Sequence, residues 1–406
     1  MDGTVAAVFG FVYFGMILGR IPGLALDRTG IALLGAIFLL ATGKLQPEDA
    51  WRSIDVPTIA LLLGLMVVSA QFRLGGFYAH LTRRLGAMEV SPALFLALLI
   101  LCAGFLSALL ANDIVCLAMT PVLVEGCARR GLDPVPFLLA LACAANVGSA
   151  ATLIGNPQNM LIGQTLKLSF AAYLFDAAIP VLLGLAAVWW VIHQKARGNW
   201  YRETPVPMIE APPFNAWQTG KGLVVLTVLI ALFLFSRLPR DVLALAAAGW
   251  LLSSRRMASR KILGLVDWQL LVLFSGLFIV NHVLAASGML AGIMSALRSA
   301  GINIHNPGWL FAVTVFLSNL VSNVPATMLL LPAAVHPMAG PILALASTLA
   351  GNLFIVGSIA NIIVIEQARS LDIHIRWSDH ARIGIPVTLI SLAFAAAWLW
   401  LRSAAG

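Results

Sequence analysis

The stretch FLSALLANDIVCLAMTP, residues 105–121, aligns without gaps on FLSNLVSNVPATMLLLP, residues 316–332. Phe105/Phe316, Leu106/Leu317, Ser107/Ser318, Leu109/Leu320, Asn112/Asn323 and Pro121/Pro332 are identical pairs. Both stretches are apolar and both are interrupted midway by polar residues around an asparagine. The enclosing segments, about 92–125 and 308–335, are too long for one membrane crossing and too short for two joined by an ordinary loop. Each reads as a re-entrant hairpin with its asparagine at the tip.

Working outward, the repetition continues on both sides. Asp55, Gly64 and Gly76 have the same mutual spacing as Asp267, Gly276 and Gly288. Downstream, LALA at 139–142 answers LALA at 343–346, and Gly155 to Asn159 answers Gly357 to Asn361 as a Gly-x-x-x-Asn element. An ordered set of matches of this kind marks an internal duplication.

Composition supplies the solvent. Of the 406 residues 60% are hydrophobic and 10% charged, with a mean hydropathy of +0.95, which a water-exposed surface would not tolerate. Apolar spans are predicted at 4–21, 29–45, 57–74, 136–165, 168–193, 219–236, 240–254, 268–287, 339–368 and 380–401. The predicted fold class is an all-α polytopic membrane protein: two inverted repeats, about ten transmembrane helices, two re-entrant hairpins and two broken helices. Residues 1–193 form the first repeat, 194–218 a cytoplasmic linker and 219–406 the second. The linker holds Pro205, Pro207, Pro212 and Pro213 and has room for a surface helix, while 75–90 and 288–300 read as interfacial helices.

The net charge of +8 does not indicate a nucleic-acid partner, because the basic residues sit in short loops between spans. Threading the spans puts most of the 25 Lys and Arg residues on one side, among them Arg83, Arg84, Arg129, Arg130, Arg255 and Arg256. That side is expected to be cytoplasmic, with both termini periplasmic and the halves inverted. MDGTVAAVFG lacks the basic start of a secretory leader, so the first span is expected to be retained. The four cysteines form no CxxC pair, and no HExxH, GxSxG or P-loop motif supports a hydrolase or an ATP-driven pump.

Non-helical backbone at membrane depth persists only where it lines a cavity or binds something, because each unpaired amide costs several kcal/mol in lipid. Gly155-Asn156-Pro157-Gln158-Asn159 is such a break: Pro157 removes a donor and pushes Asn156 out of helical geometry. Its side-chain amides can bind a cation through oxygen or an anion through nitrogen. Broken helices also expose positive N-termini and carbonyl C-termini, which suit an anion beside a cation.

Asp113 is the sole carboxylate with about ten largely apolar residues on either side. It reads as a coupling-ion ligand or proton carrier, or else as a structural acid, either paired with Arg129 or Arg130 at the hairpin mouth or protonated and holding the tip together through hydrogen bonds. The second tip, Ser322-Asn323-Val324-Pro325, carries no acid, so coupling is expected to be asymmetric. Asn281 and His282 read equally as pathway or packing residues. Asn146, Ser149, Thr152, Thr348, Asn352 and Ser358 flank the breaks, and Asp176 and Glu366 read as interfacial.

Through LLANDIVCLAMTP, NVGSAATLIGNPQNMLIG, LVSNVPATMLLLP and GSIANIIVIEQA, nearly the whole chain resembles the ion transporter superfamily. That group holds arsenite permeases, NhaD-type antiporters, citrate-type carriers and divalent anion symporters, and the nearest likeness is to its YbiR-like bacterial anion transporters. The resemblance implies an inner-membrane secondary transporter, an elevator mechanism and a homodimer, with no enzymatic activity and no cofactor beyond a coupling Na⁺ or H⁺. It assigns a small anion to Asn112, Asn156, Asn159, Ser322, Asn323, Ser358 and Asn361. The coupling ion goes to Asp113, Asn112, Thr152, Gly155, Asn323 and Gly357. Dicarboxylate symporters carry Ser-Asn-Thr at both tips; Ala111-Asn112-Asp113 and Ser322-Asn323-Val324 depart from that pattern. A sodium/proton antiporter on the same scaffold is the alternative, with an anion channel behind it.

Overall fold

In a computed structural model, residues 2–19, 21, 23–203, 205–210, 212–254 and 257–405 are described. Arg255 and Arg256, counted above among the cytoplasmic charges, lie outside them. Helices α1 (Gly3–Leu18), α2 (Arg28–Ala41), α3 (Pro47–Ser53), α4 (Val56–Leu74) and α5 (Phe77–Gly86) lead to the first hairpin, α6 (Pro92–Leu109) and α7 (Asn112–Arg129). Then come α8 (Pro134–Ser149), α9 (Pro157–Thr165) and α10 (Phe170–Ala196). The order recurs as α11 (Ala216–Phe235), α12 (Arg240–Leu252), α13 (Ser259–Leu263), α14 (Trp268–Ala286) and α15 (Met289–Ser299). The second hairpin is α16 (Pro307–Val321) and α17 (Asn323–Leu330), followed by α18 (Ala339–Ala350), α19 (Ile359–Arg369) and α20 (Trp377–Ala405). Among the described residues there is no strand, and six helices are both long and apolar enough to cross a bilayer.

The repeated residues have repeated physical jobs. Asp55 caps α4 by accepting from Thr58 N at 2.9 Å, and Asp267 caps α14 by accepting from Leu270 N at 3.0 Å. Gly64 lets α4 press on α12, where a Cβ would stand 2.7 Å from the Ala244 carbonyl oxygen; Gly276 does the same for α14 on α2, 3.0 Å from the Ala32 oxygen. Gly76 (φ 68°) and Gly288 (φ 73°) turn the chain into α5 and α15 in the left-handed region, where a Cβ is costly.

Packing is reciprocal between the two series: α4 lies on α12 and α14 on α2, while α13 touches α4 and α3 touches α14. At the centre, α8 packs on α6 and α10, α18 on α16 and α20, and α10 against α20. All twelve residues of α18 are buried. Buried on every face, α18 is a core helix and not a lipid-facing one.

The predicted 136–165 and 339–368 spans are both split, each helix stopping and restarting across a non-helical stretch. The linker departs from its reading, since no helix forms among its described residues between α10 and α11. Its prolines cannot donate, and its backbone is spent on turns elsewhere. Asp133 N donates to Trp200 O, Arg202 N to Gly131 O and Asn215 N to Gly75 O, at 2.8, 2.9 and 2.9 Å.

Candidate functional site

Each hairpin turns on very few residues. Leu110, which is extended, and Ala111 precede the start of α7 at Asn112, and Ser322 alone separates α16 from α17. Ser322 sits at φ 78°, ψ 161°, a conformation almost confined to glycine that costs ~1–3 kcal/mol for other residues. Strain held at this point is concentrated at a hairpin tip.

The tips touch the breaks through equivalent positions. Asn112 N donates to Gly155 O at 3.4 Å, and Asn323, its amide nitrogen turned to the carbonyls it faces, donates to Gly357 O at 3.3 Å and Ser347 O at 3.0 Å. Gly155 is required at its position, because a Cβ there would stand 2.7 Å from the Ser107 carbonyl oxygen on hairpin one.

A cavity of about 30 Å³ lies where the four breaks in helical structure meet. Its wall takes Asn112 and Asp113 from the first tip, Asn156, Pro157 and Gln158 from the first break, and Ser322, Asn323 and Val324 from the second tip. Ser358 and Ile359 come from the second break, with Asn146 and Leu270 completing it. Asn112 Oδ1 is buried and has no protein partner among the described residues. Asp113 and Val324 occupy equivalent tip positions, so one polar chamber has an acid on one side and a valine on the other.

A polar network backs this chamber. Asn146 Nδ2 donates to Asn352 Oδ1 at 2.8 Å and to Asn361 Oδ1 at 3.2 Å, and its Oδ1 accepts from Ser358 Oγ at 2.7 Å. From the other side, Thr348 Oγ1 accepts from Asn156 Nδ2 at 3.2 Å and from Gln158 Nε2 at 3.1 Å. A residue preceding each break is thus held by residues around the other.

Of the residues singled out in the sequence, Asn112, Asp113, Asn146, Asn156, Pro157, Gln158, Ser322, Asn323 and Ser358 line the chamber. Asn159, Asn361, Thr152, Gly155 and Gly357 lie behind it. Asn159 Nδ2 donates to Thr152 O at 3.0 Å and to Tyr173 Oη at 3.1 Å, and Asn361 Nδ2 to Gly351 O at 2.9 Å and Phe354 O at 3.3 Å. Their nitrogens hold the breaks in shape. Asn281 accepts from Tyr13 Oη at 2.8 Å on the α1 side of α14, and His282 is exposed, so neither lines the chamber.

Asp113 takes neither arginine of the hairpin mouth. Arg129 Nη2 pairs with Glu125 at 2.9 Å, Arg83 joins the same carboxylate at 3.4 Å, and Arg130 Nη2 donates to Val90 O at 2.6 Å. Asp176, read as interfacial, is buried and paired with Arg402 at 3.1 Å.

A second cavity, about 210 Å³, adjoins the chamber and shares Asp113, Pro157 and Leu270 with it. Its polar members are Asp113, Asp267 and Arg73; Leu62, Leu65 and Met160 supply apolar wall. Sequence reasoning missed Asp267 and Arg73, treating the first only as a repeat marker. The available signal was an aspartate opening an apolar span at each repeat.

Polar groups gathered at helix breaks inside a bundle of apolar helices define a multi-pass membrane transporter. The citrate transporter (CitMHS) family model matches residues 11–350, and the chain belongs to that family. Among similar proteins is the silicon efflux transporter LSI3 of Oryza sativa subsp. japonica, 28% identical, with 96% of each chain covered. Another is the inner membrane protein YbiR of Escherichia coli, 30% identical over 84% of this chain and 87% of that one. The crystal structure of the Alcanivorax borkumensis YdaH transporter has a similar fold, with a TM-score of 0.56 at 13% identity, covering 98% and 96%. The family and the silicon efflux relative are transporters, not enzymes.

Proposed function

We propose that this protein is a secondary active transporter that carries a small anion or oxyanion across the bacterial inner membrane, driven by Na⁺ or H⁺. One observation carries the reading: amides and hydroxyls from both tips and both breaks surround one chamber, with Asp113 as its single acid. Helix N-termini at Asn112, Pro157, Asn323 and Ile359 favour an anion there, and Asp113 offers a carboxyl group to a coupling cation or proton. Asn112, Asn156, Ser322, Asn323 and Ser358 are the proposed anion ligands. Thr152, Gly155, Gly357, Asn159 and Asn361 shape the two breaks.

The reading includes two inverted halves, 1–193 and 219–406, joined by a cytoplasmic linker, with both termini periplasmic. Reciprocal packing of the two helix series supports the duplication, and charge distribution supports the orientation. Alternating access by an elevator-like movement, in a homodimer, belongs to the same proposal. At about 30 Å³ the chamber is a tenth or less of the ~300–1,000 Å³ usual for small-molecule sites, so a solute as large as citrate requires the tips to part.

Uptake by proteoliposomes from a panel of labelled solutes, including citrate and silicate, under imposed Na⁺ or H⁺ gradients tests the proposal. Gradient-driven accumulation of one anion is the expected result. Proton efflux driven by Na⁺ with no anion accumulated would establish the antiporter reading instead.

A further inference from the structure

We infer that a basic cavity at the linker-side ends of α8, α10 and α20, separate from the transport chamber, binds an anionic phosphate group, supplied by a phospholipid headgroup. The cavity measures about 500 Å³ and shares no residue with the chamber. Four cationic side chains line it, Lys195, Arg202, Arg376 and Arg382, against two carboxylates, Asp133 and Asp379.

Both carboxylates are already committed. Asp133 caps α8, accepting from Val135 N at 3.1 Å. Asp379 takes Arg376 in a two-pronged pair, Nε and Nη2 each at 3.1 Å, and also accepts from Arg376 N at 3.1 Å. Among the described residues neither Lys195 nor Arg382 forms a salt bridge, so the cavity keeps an excess of positive charge. The N-terminus of α20, a helix of 29 residues, opens into the same space and adds to it.

The residues around the cavity favour a lipid as the source. Trp377, 60% exposed, follows Arg376, and Tyr201, 72% exposed, precedes Arg202. Exposed aromatic rings beside cations are the composition of a membrane–water interface, and basic pockets between helices at that level take acidic headgroups. Leu139, Ile192 and Ile383 add apolar wall suited to the first carbons of an acyl chain.

The test uses the purified full-length protein in detergent, with native mass spectrometry and thermal melting as readouts. Cardiolipin, phosphatidylglycerol, phosphatidylcholine and inorganic phosphate are added separately. Cardiolipin or phosphatidylglycerol is expected to stay bound and raise the melting temperature, phosphatidylcholine to do neither. The double variant K195Q/R382Q is expected to weaken the anionic lipid by about thirtyfold, on the scale of two surface cations. R260Q/K261Q, which removes two exposed charges elsewhere, is the control and is expected to bind normally. Monodispersity and circular dichroism confirm that both variants are folded. A saturable effect of inorganic phosphate, lost in K195Q/R382Q, supports the anion site and assigns it to a free ion. Equal retention of phosphatidylcholine, or a folded K195Q/R382Q that binds as the parent does, overturns the inference.

Discussion

Gly155 and Gly357 occupy equivalent places in the two breaks, yet their surroundings differ enough to give unequal responses to the same change. An alanine Cβ at 155 would stand 2.7 Å from the Ser107 oxygen and 2.7 Å from Ser149 Cα, with the Ser149 oxygen closer still. All three are backbone atoms, so no rotamer change relieves them. Reaching an ordinary 3.4 Å contact requires hairpin one to withdraw by about 0.7 Å and the end of α8 by about 1.2 Å. At 357 the nearest atoms are the Gly351 oxygen at 3.1 Å and Asn319 Oδ1 at 3.2 Å, the second on a side chain, and a shift of about 0.3 Å suffices. Overpacking costs ~1–3 kcal/mol, which puts Gly155→Ala near the top of that range and Gly357→Ala near its foot. Thermal melting of the purified variants in one detergent measures the order, and uptake shows whether the displaced tip still binds. Gly357→Ala melting at the lower temperature, or Gly155→Ala melting with the parent, would refute the close packing of the first tip on its break.

Asp113→Asn is expected to leave the fold and the melting temperature close to the parent's while abolishing the dependence of uptake on an imposed cation gradient; unchanged coupling removes Asp113 from that role. Asn146→Ala strands three buried partners at ~1–3 kcal/mol each before relaxation, so about 3 kcal/mol is expected, against about 1 for Asn281→Ala with its single bond to Tyr13. The same melting assay ranks the two, and an equal loss would mean that the network between the breaks adds nothing. Arg402→Gln leaves the Asp176 carboxylate, 11% exposed, without its partner; because Arg402 itself is 48% exposed, the cost is expected at about 1–3 kcal/mol, below the ~3–5 kcal/mol of a fully buried pair. The double variant D176N/R402Q should melt above R402Q, and the reverse order would show that Asp176 is satisfied by solvent.

Much of this architecture is legible in the chain because breaks are costly in lipid and only particular residues make them. Pro157, Gly155 and the asparagines inside apolar runs mark hairpins and split helices to within a few residues. The three repeat markers Asp55/Asp267, Gly64/Gly276 and Gly76/Gly288 correspond to caps, helix crossings and left-handed turns. Which amides face the chamber was not legible. Asn156 and Asn159 are three residues apart in one break, and the Thr152 carbonyl and Tyr173 take the second while the first stays on the wall. Asp267 escaped notice for a related reason: one of its oxygens caps α14, so a local role was enough to explain it, and only the packed bundle brings it beside Asp113 in the larger cavity.

The central claim is that tips from two distant parts of the chain grip one solute. A double-mutant cycle on Asn112→Ala and Ser322→Ala, read as uptake KM for the anion that proteoliposomes accumulate, tests it most directly. Two residues on one bound anion should couple by ~0.5–3 kcal/mol, whereas independent sites add within ~0.3–0.5 kcal/mol. Coupling is the expected result. Additive effects from two folded, active single variants would contradict a shared site.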